Sequence, residues 1–408
     1  MFHPVHPHIS HRTGQAGAIL PIIAIGLLVL IAGAGLAIDS SHAFLNKSRL
    51  QNAVDAAALS AAKTLNDTAG NTALASAHGR EVFEAHLLGE LASDSPTLSF
   101  EFSGTLTPFP GSTETARYVR ATATDFSLAV WFANVLPGFG DELTLGSSAV
   151  AGPIPLGGGQ VCDIAPVLVC GDPTDTNPDD GTVFGLNYGN DTDTQCLKSS
   201  TSTGNIKNTD GPPDECQEPL DSVGPGNFQL LELSCGAGSN CVRESLAGEF
   251  QACINSFETV PTKPGNSVGP VTQGLNTRFG EYSGSVNAID HPPDLVSTWP
   301  INYSSYEAAY FNEQFNESNG IPYRRVMAVP IGNCSASTSG QSDIPLLGFG
   351  CYFLKEPTIS SGQDNWIKGH LIEDCEVSGS PGEIPDSVGS GFSTYKIILY
   401  NDPGNPAS

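Results

Sequence analysis

Cysteine is missing from one end of this chain, positive charge is scarce throughout, and one long run has no polar side chain. No cysteine precedes Cys162, and all ten lie from there to Cys375. The N-terminal part therefore cannot rest on a disulfide framework and must hold itself together by packing. Lys and Arg number 17 against 43 Asp and Glu, giving a formal net charge of -26. Nucleic-acid binding needs clustered cations, so phosphate backbones are excluded as partners. Such acidity favours solubility and self-repulsion outside a membrane. Paired C-x-x-C spacings are lacking too: Cys162-x7-Cys170 and Cys235-x5-Cys241 are the tightest. Only His291 and His370 lie beyond residue 100, which argues against structural zinc. No clear internal repeat is visible.

At 408 residues the chain has room for two or three domains. The 45 Gly and 30 Pro imply many turns, hence a mainly β or irregular outer region rather than a helical bundle. The ten cysteines are Cys162, Cys170, Cys196, Cys216, Cys235, Cys241, Cys253, Cys334, Cys351 and Cys375. Their even number, behind an apolar N-terminal segment, predicts disulfides made in an oxidising compartment, with the pairing left open.

From Ala16 to Ile38 no side chain is charged or strongly polar. A helix of that length reaches about 34 Å, enough to cross a hydrocarbon core of roughly 30 Å. Pro21 falls in its first turns, where a missing amide donor costs least. Gly33 and Ala37, four apart, would let another membrane helix approach closely. A cleaved leader is the alternative, with Arg12 in its charged region and Ala32-Gly33-Ala34 as the cleavage site. Against it, the run is too long for a leader, and a helical ladder continues beyond it through Leu50, Val54, Ala57, Ala61 and Leu65. Flanking charges are nearly balanced, so orientation follows from the acidic, cysteine-rich bulk, which belongs on the outer side.

The stretch "GAILPIIAIGLLVLIAGAGLAIDSSHAFLNKSRLQNAVDAAALSAA" resembles the N-terminal segment of TadE/TadG-like proteins of the Flp (tight adherence, Tad) pilus assembly system. The resemblance is carried by Ala37-Ile38-Asp39 closing the apolar span and by Leu50 through Ala62. Further along, "VCDIAPVLVC", "PTKPGNSVGPVTQGLNTRF" and "VMAVPIGNC" are similar to outer regions of TadG-like proteins. The resemblance implies a non-enzymatic, single-span component of the bacterial inner membrane. Its N-terminus would be cytoplasmic, its outer domain periplasmic or extracellular, and its partners the membrane and pilus assembly or envelope proteins. Clipped pilin subunits carry a Glu five residues after the cleavage-site Gly. Here Ile22 follows Gly17 at that distance, which favours an uncleaved component over a filament subunit. The Asp-x-Ser-x-Ser motif of a von Willebrand A domain is not met by "DSSHA" at Asp39.

The expected fold class is α+β: residues 1–15 a cytoplasmic tail, 16–38 a membrane helix, 39–152 a pilin-like helix with a small antiparallel sheet, 153–408 a disulfide-rich, mainly β outer domain. A second helix is expected over Thr72–Leu91, a short one in "SLAVWFANVL", and strands near Leu98, Val119 and Leu143. In "YVRATAT", Val119, Ala121 and Ala123 alternate with polar residues, as in a half-buried strand. "GPIPLGGGQ" from Gly152 marks the boundary. Asp175, Asn177 and Asp179 alternate in "DPTDTNPDDG" and could offer oxygens to calcium, although Gly181 comes one place late and Asn187 stands where a Glu is wanted. No other cofactor is expected. "GNSVG" matches the nucleophile-elbow pattern at Ser267, but "PTKP" before it and Pro270 after it oppose the strand and helix that pattern needs. His291 and His370 are read as surface-loop histidines. The alternative function is a secreted or surface adhesive module with a cleaved leader, stabilised by calcium.

Overall fold

The structure is a computed structural model that describes residues 19–68, 70–94, 96–111, 116–135, 140–156, 158–174, 182–187, 194–200, 216–217, 227–233, 238–249, 253–265, 267–336, 340–359, 365–372, 374–380 and 394–402. It is mixed α+β. Helix α1 runs unbroken from Ile19 to Asp67, 49 residues, or about 73 Å. Its two halves have opposite surroundings. Ile22, Ile23, Ile25, Leu27, Leu28, Val29, Leu30 and Ile31 are all exposed, whereas Leu50, Ala53, Val54, Ala57, Ala58, Ala61, Ala62 and Leu65 are fully buried. The helix ends where the Gly70 amide, in the left-handed region (φ 88°), donates back to the Leu65 carbonyl. Only a residue without Cβ takes that conformation cheaply.

Helix α2 (Thr72–His86) folds back along α1, started by Asn71, whose side chain accepts from the Leu74 amide at 3.1 Å. A Cβ on Gly79 would lie 2.7 Å from Phe100 and 3.0 Å from the Ala61 Cβ. The alanine-rich face of α1 and this glycine together allow the close approach. The helix expected over Thr72–Leu91 stops at His86, and a separate short helix, Glu90–Asp94, follows Gly89, which has φ 63°.

Three antiparallel strands cover the buried half of α1: β1 (Thr97–Ser103), β2 (Tyr118–Ala129) and β3 (Glu142–Pro155). In β2, Val119, Ala121 and Ala123 point inward, as the alternation predicts. An irregularity between Ala123 and Phe126, with Asp125 at φ 63°, shifts the register, so Phe126 and Leu128 face the core instead of the odd-numbered residues. An extra residue in one strand inverts the facing in this way. The short helix expected in "SLAVWFANVL" is not formed. β2 runs to Ala129, and only Ala133–Val135 makes a single 3₁₀ turn. Strand pairing, Phe126 with Leu145 and Leu128 with Leu143, competes successfully with helix formation there.

The cysteine-rich region is built on a larger sheet in which Asn227–Leu231, Thr259–Pro264, Asp343–Leu354, Asn365–Ile372, Thr194–Ser200 and Cys216–Gln217 lie in that order. Val326–Gly332 also pairs with Asp343–Leu354. Disulfides join Cys162 to Cys253, Cys170 to Cys334, Cys196 to Cys216, and Cys351 to Cys375. Cys241 is disulfide-bonded as well, while Cys235 lies outside the described residues. The boundary expected at Gly152 falls inside β3. Beyond it the chain does not simply leave the first sheet, since Thr394–Tyr400 returns to pair with β3 and Cys375–Glu376 adds in parallel beyond that. Thus the N-terminal sheet takes strands from both ends of the chain.

Candidate membrane-proximal anchor and docking seam

Asp39, the first charged residue after the apolar run, lies between the exposed apolar part of α1 and the part that is buried from Leu50 onward. Its carboxylate accepts three consecutive backbone amides, from Trp131 (3.1 Å), Phe132 (2.9 Å) and Ala133 (2.6 Å). Amides that no strand or helix satisfies thus find an anionic acceptor, a charge-assisted arrangement stronger than neutral bonds. On either side of this clamp the same loop touches the helix. A Cβ on Gly35 would lie 2.8 Å from the Phe132 Cβ, and the Trp131 ring stacks on His42 with centroids 4.2 Å apart. His42 Nε2 in turn lies 2.7 Å from a Glu90 carboxylate oxygen. Asp39 was visible in the sequence as the end of the apolar span. The loop that answers it was not, because its partners lie more than ninety residues away.

At the far end of α1 a polar seam joins the N-terminal sheet to the cysteine-rich region. Lys63 reaches both Asp67, at 3.2 Å, and Glu376. Arg117 pairs with Asp374 at 2.8 Å, and Arg120 with the buried Asp402 at 2.6 Å. A cavity of about 270 Å³ opens here, lined by Lys63, Asp67, Tyr303, Tyr323, Glu376 and Tyr395 among others. One ammonium facing two carboxylates sets the electrostatics. Burial alone would push the Lys63 ammonium down, but Asp67 and Glu376 outweigh it and hold the pKa up. For Asp67, burial pushes the carboxyl up; Lys63 pulls it down, Glu376 opposes that, and it titrates at about 6.

A carboxyl that holds its proton more tightly folded than unfolded stabilises most in acid, and that stability is lost as pH rises through about 6. The wild type is therefore expected to lose roughly 2 kcal/mol between pH 4 and pH 7 from this group. Thermal melts at stepped pH should show that slope, flattened in Asp67→Asn; parallel profiles for the two proteins would contradict the assignment.

The remaining expected sites fare unevenly. Asp175, Asn177 and Asp179 lie outside the described residues; just before them, Asp172 accepts from the Thr174 amide and hydroxyl. Among the described residues no group of three or more His, Cys, Asp or Glu is placed to hold a metal ion. Gly33 faces open space and Ala37 is exposed; Gly35 is the glycine of that run that packs within the chain. The expectation at Ser267 needs correcting. A strand (Thr259–Pro264) does precede it and a helix (Val268–Asn276) does follow, with Gly265 at φ 85° making the turn. Pro270 sits in the first helical turn, where no amide is required of it. Lys263 donates to the Ser267 hydroxyl at 2.7 Å, and burial pushes its ammonium down despite Glu232. Both side chains are almost wholly buried, however, at 6% and 3% exposure. His291 and His370 are buried as well, not surface-loop residues as expected. His370 lies on the strand Asn365–Ile372, against the rings of Tyr303 and Phe353.

The molecule is thus an α+β protein built on a helix long and apolar enough to cross a membrane. Residues 17–64 match the family described as putative Flp pilus-assembly TadE/G-like. That match takes in both the exposed apolar half of α1 and nearly all of its buried face. No curated protein and no solved structure matches the chain.

Proposed function

We infer that this protein is a single-span, non-enzymatic component of a Flp/Tad-type pilus assembly or envelope apparatus. The carrying observation is the continuity of α1: one helix is apolar on every side from Ile19 to Ile38 and is the core of a folded domain from Leu50 to Leu65. Such a helix transmits position rigidly, because no hinge residue separates the anchor from the domain it carries. The match of residues 17–64 to the pilus-assembly family gives this architecture its context. In this reading the N-terminus is cytoplasmic, Gly33 and Ala37 meet neighbouring membrane helices, and the disulfide-braced region meets pilus or envelope proteins outside. Calcium binding at Asp175, Asn177 and Asp179 is a separate proposal, expected to appear as a calcium-dependent rise in melting temperature that is lost when Asp175 and Asp179 become Asn.

The full chain is expected to stay in the membrane pellet through alkaline carbonate, with the cysteine-rich region open to protease added outside spheroplasts. Recovery of the protein free in the medium, with a mature N-terminus near Gly35 or Ile38, would overturn the reading in favour of a secreted module.

A further inference from the structure

We propose that the loop Trp131–Val135 is a second membrane contact, lying in the outer interface of the same bilayer that α1 crosses. The proposal rests on the anchoring reading above and goes beyond it. Trp131 is 49% exposed, Phe132 50% and Val135 83%, although all three are apolar and stand within five residues. An exposed cluster of this kind needs a reason.

Its depth is set by the helix. Phe132 packs on Gly35, three residues inside the end of the uncharged run, about 4.5 Å below Ile38 along the axis. Any bilayer that accommodates Ile19 to Ile38 therefore also surrounds the free side of Phe132. Trp131 sits higher, against His42, four residues and about 6 Å beyond Ile38 along the axis, at the level of the headgroups. Tryptophan and other amphipathic rings concentrate at that level. The Asp39 clamp satisfies the amides of Trp131, Phe132 and Ala133, and the Val135 amide donates to the Phe132 carbonyl, so these donors enter the interface already satisfied. The first carboxylate beyond the span is thereby neutralised by backbone dipoles at the place where a free one would be least welcome. The loop and helix together make a two-point footing that fixes how far α1 sits in the membrane.

The test uses the full-length protein in phosphatidylethanolamine/phosphatidylglycerol vesicles whose acyl chains are brominated near the glycerol. Tryptophan emission of the wild type should be quenched, and Trp131→Phe should lose most of that quenching while keeping an aromatic ring. Independently of any variant, a photoactivatable phospholipid should label the wild-type tryptic peptide 121–198 as well as peptide 13–47. Equal quenching in both proteins, or adducts confined to peptide 13–47, in a chain that still resists alkaline carbonate, overturns this proposal and leaves the anchor intact. Such a result would assign the loop to a protein neighbour. Extraction by carbonate overturns the anchor and the footing together.

Discussion

Arg325→Met is expected to destabilise the cysteine-rich region by about 3–5 kcal/mol. Arg325 is fully buried. Its guanidinium donates to the carbonyls of Val296, Thr298, Leu354 and Lys355, with two bonds to Leu354. It also lies over the rings of Phe279, Tyr306 and Phe353. Methionine would fill much of the volume and keep the aromatic contacts, yet four carbonyls would lose the donors that Arg325 supplies. Burial pushes the arginine pKa down, to about 10, with Tyr306, Asp294 and Tyr310 opposing, so the group stays charged at neutral pH.

The same cluster holds Asp294, which accepts from the hydroxyls of Tyr306 (2.6 Å) and Tyr310 (2.9 Å) and from the amides of Val296 and Arg325. Denaturant melts of the full chain should show Arg325→Met and Arg325→Lys both well below wild type. Lysine keeps the charge but has three donors where five are used, and no planar fork. A lysine variant as stable as the wild type would mean that charge rather than geometry is what this site requires.

Val54→Asp is expected to unfold the N-terminal sheet without releasing the protein from membranes. Val54 is fully buried among Ala57, Ala58, Leu50 and the inward residues of β2. A carboxylate placed there has no partner, and the cost of several kcal/mol is a large share of the 5–15 kcal/mol that a domain has. The apolar half of α1 is untouched by the change. Limited proteolysis should therefore cut within residues 97–155 of the variant while alkaline carbonate still leaves it in the pellet. Loss from the membrane would show instead that the folded sheet, and not the apolar helix alone, holds the chain there.

These two sites were unequally legible. Val54 stands on a ladder of apolar residues three and four apart, and the helix that carries it could be read because every interaction that builds it is local. Arg325 gave no such signal. In "YRRVMAVPI" nothing distinguishes it from Arg324, which is partly buried and donates to Pro292 and Ala247. Ser267 misled in the opposite way: Pro270 looked like a barrier, yet the first turn of a helix has amides to spare. The helix expected around Trp131 failed because propensity over ten residues was outweighed by a β ladder and by an aspartate ninety residues earlier.

By itself the sequence determined a long apolar helix, its alanine-rich continuation, and a disulfide-bonded second region, because periodicity, the absence of charge and cysteine count act over short distances or over composition. Only the tertiary structure decided which loop answers Asp39, which cysteines pair, that Lys63 meets two carboxylates, and that the last described strand returns to the first sheet. Those outcomes depend on residues brought together across tens to hundreds of positions. Backbone hydrogen bonds and buried charges find their partners there according to shape, and no local pattern records that shape.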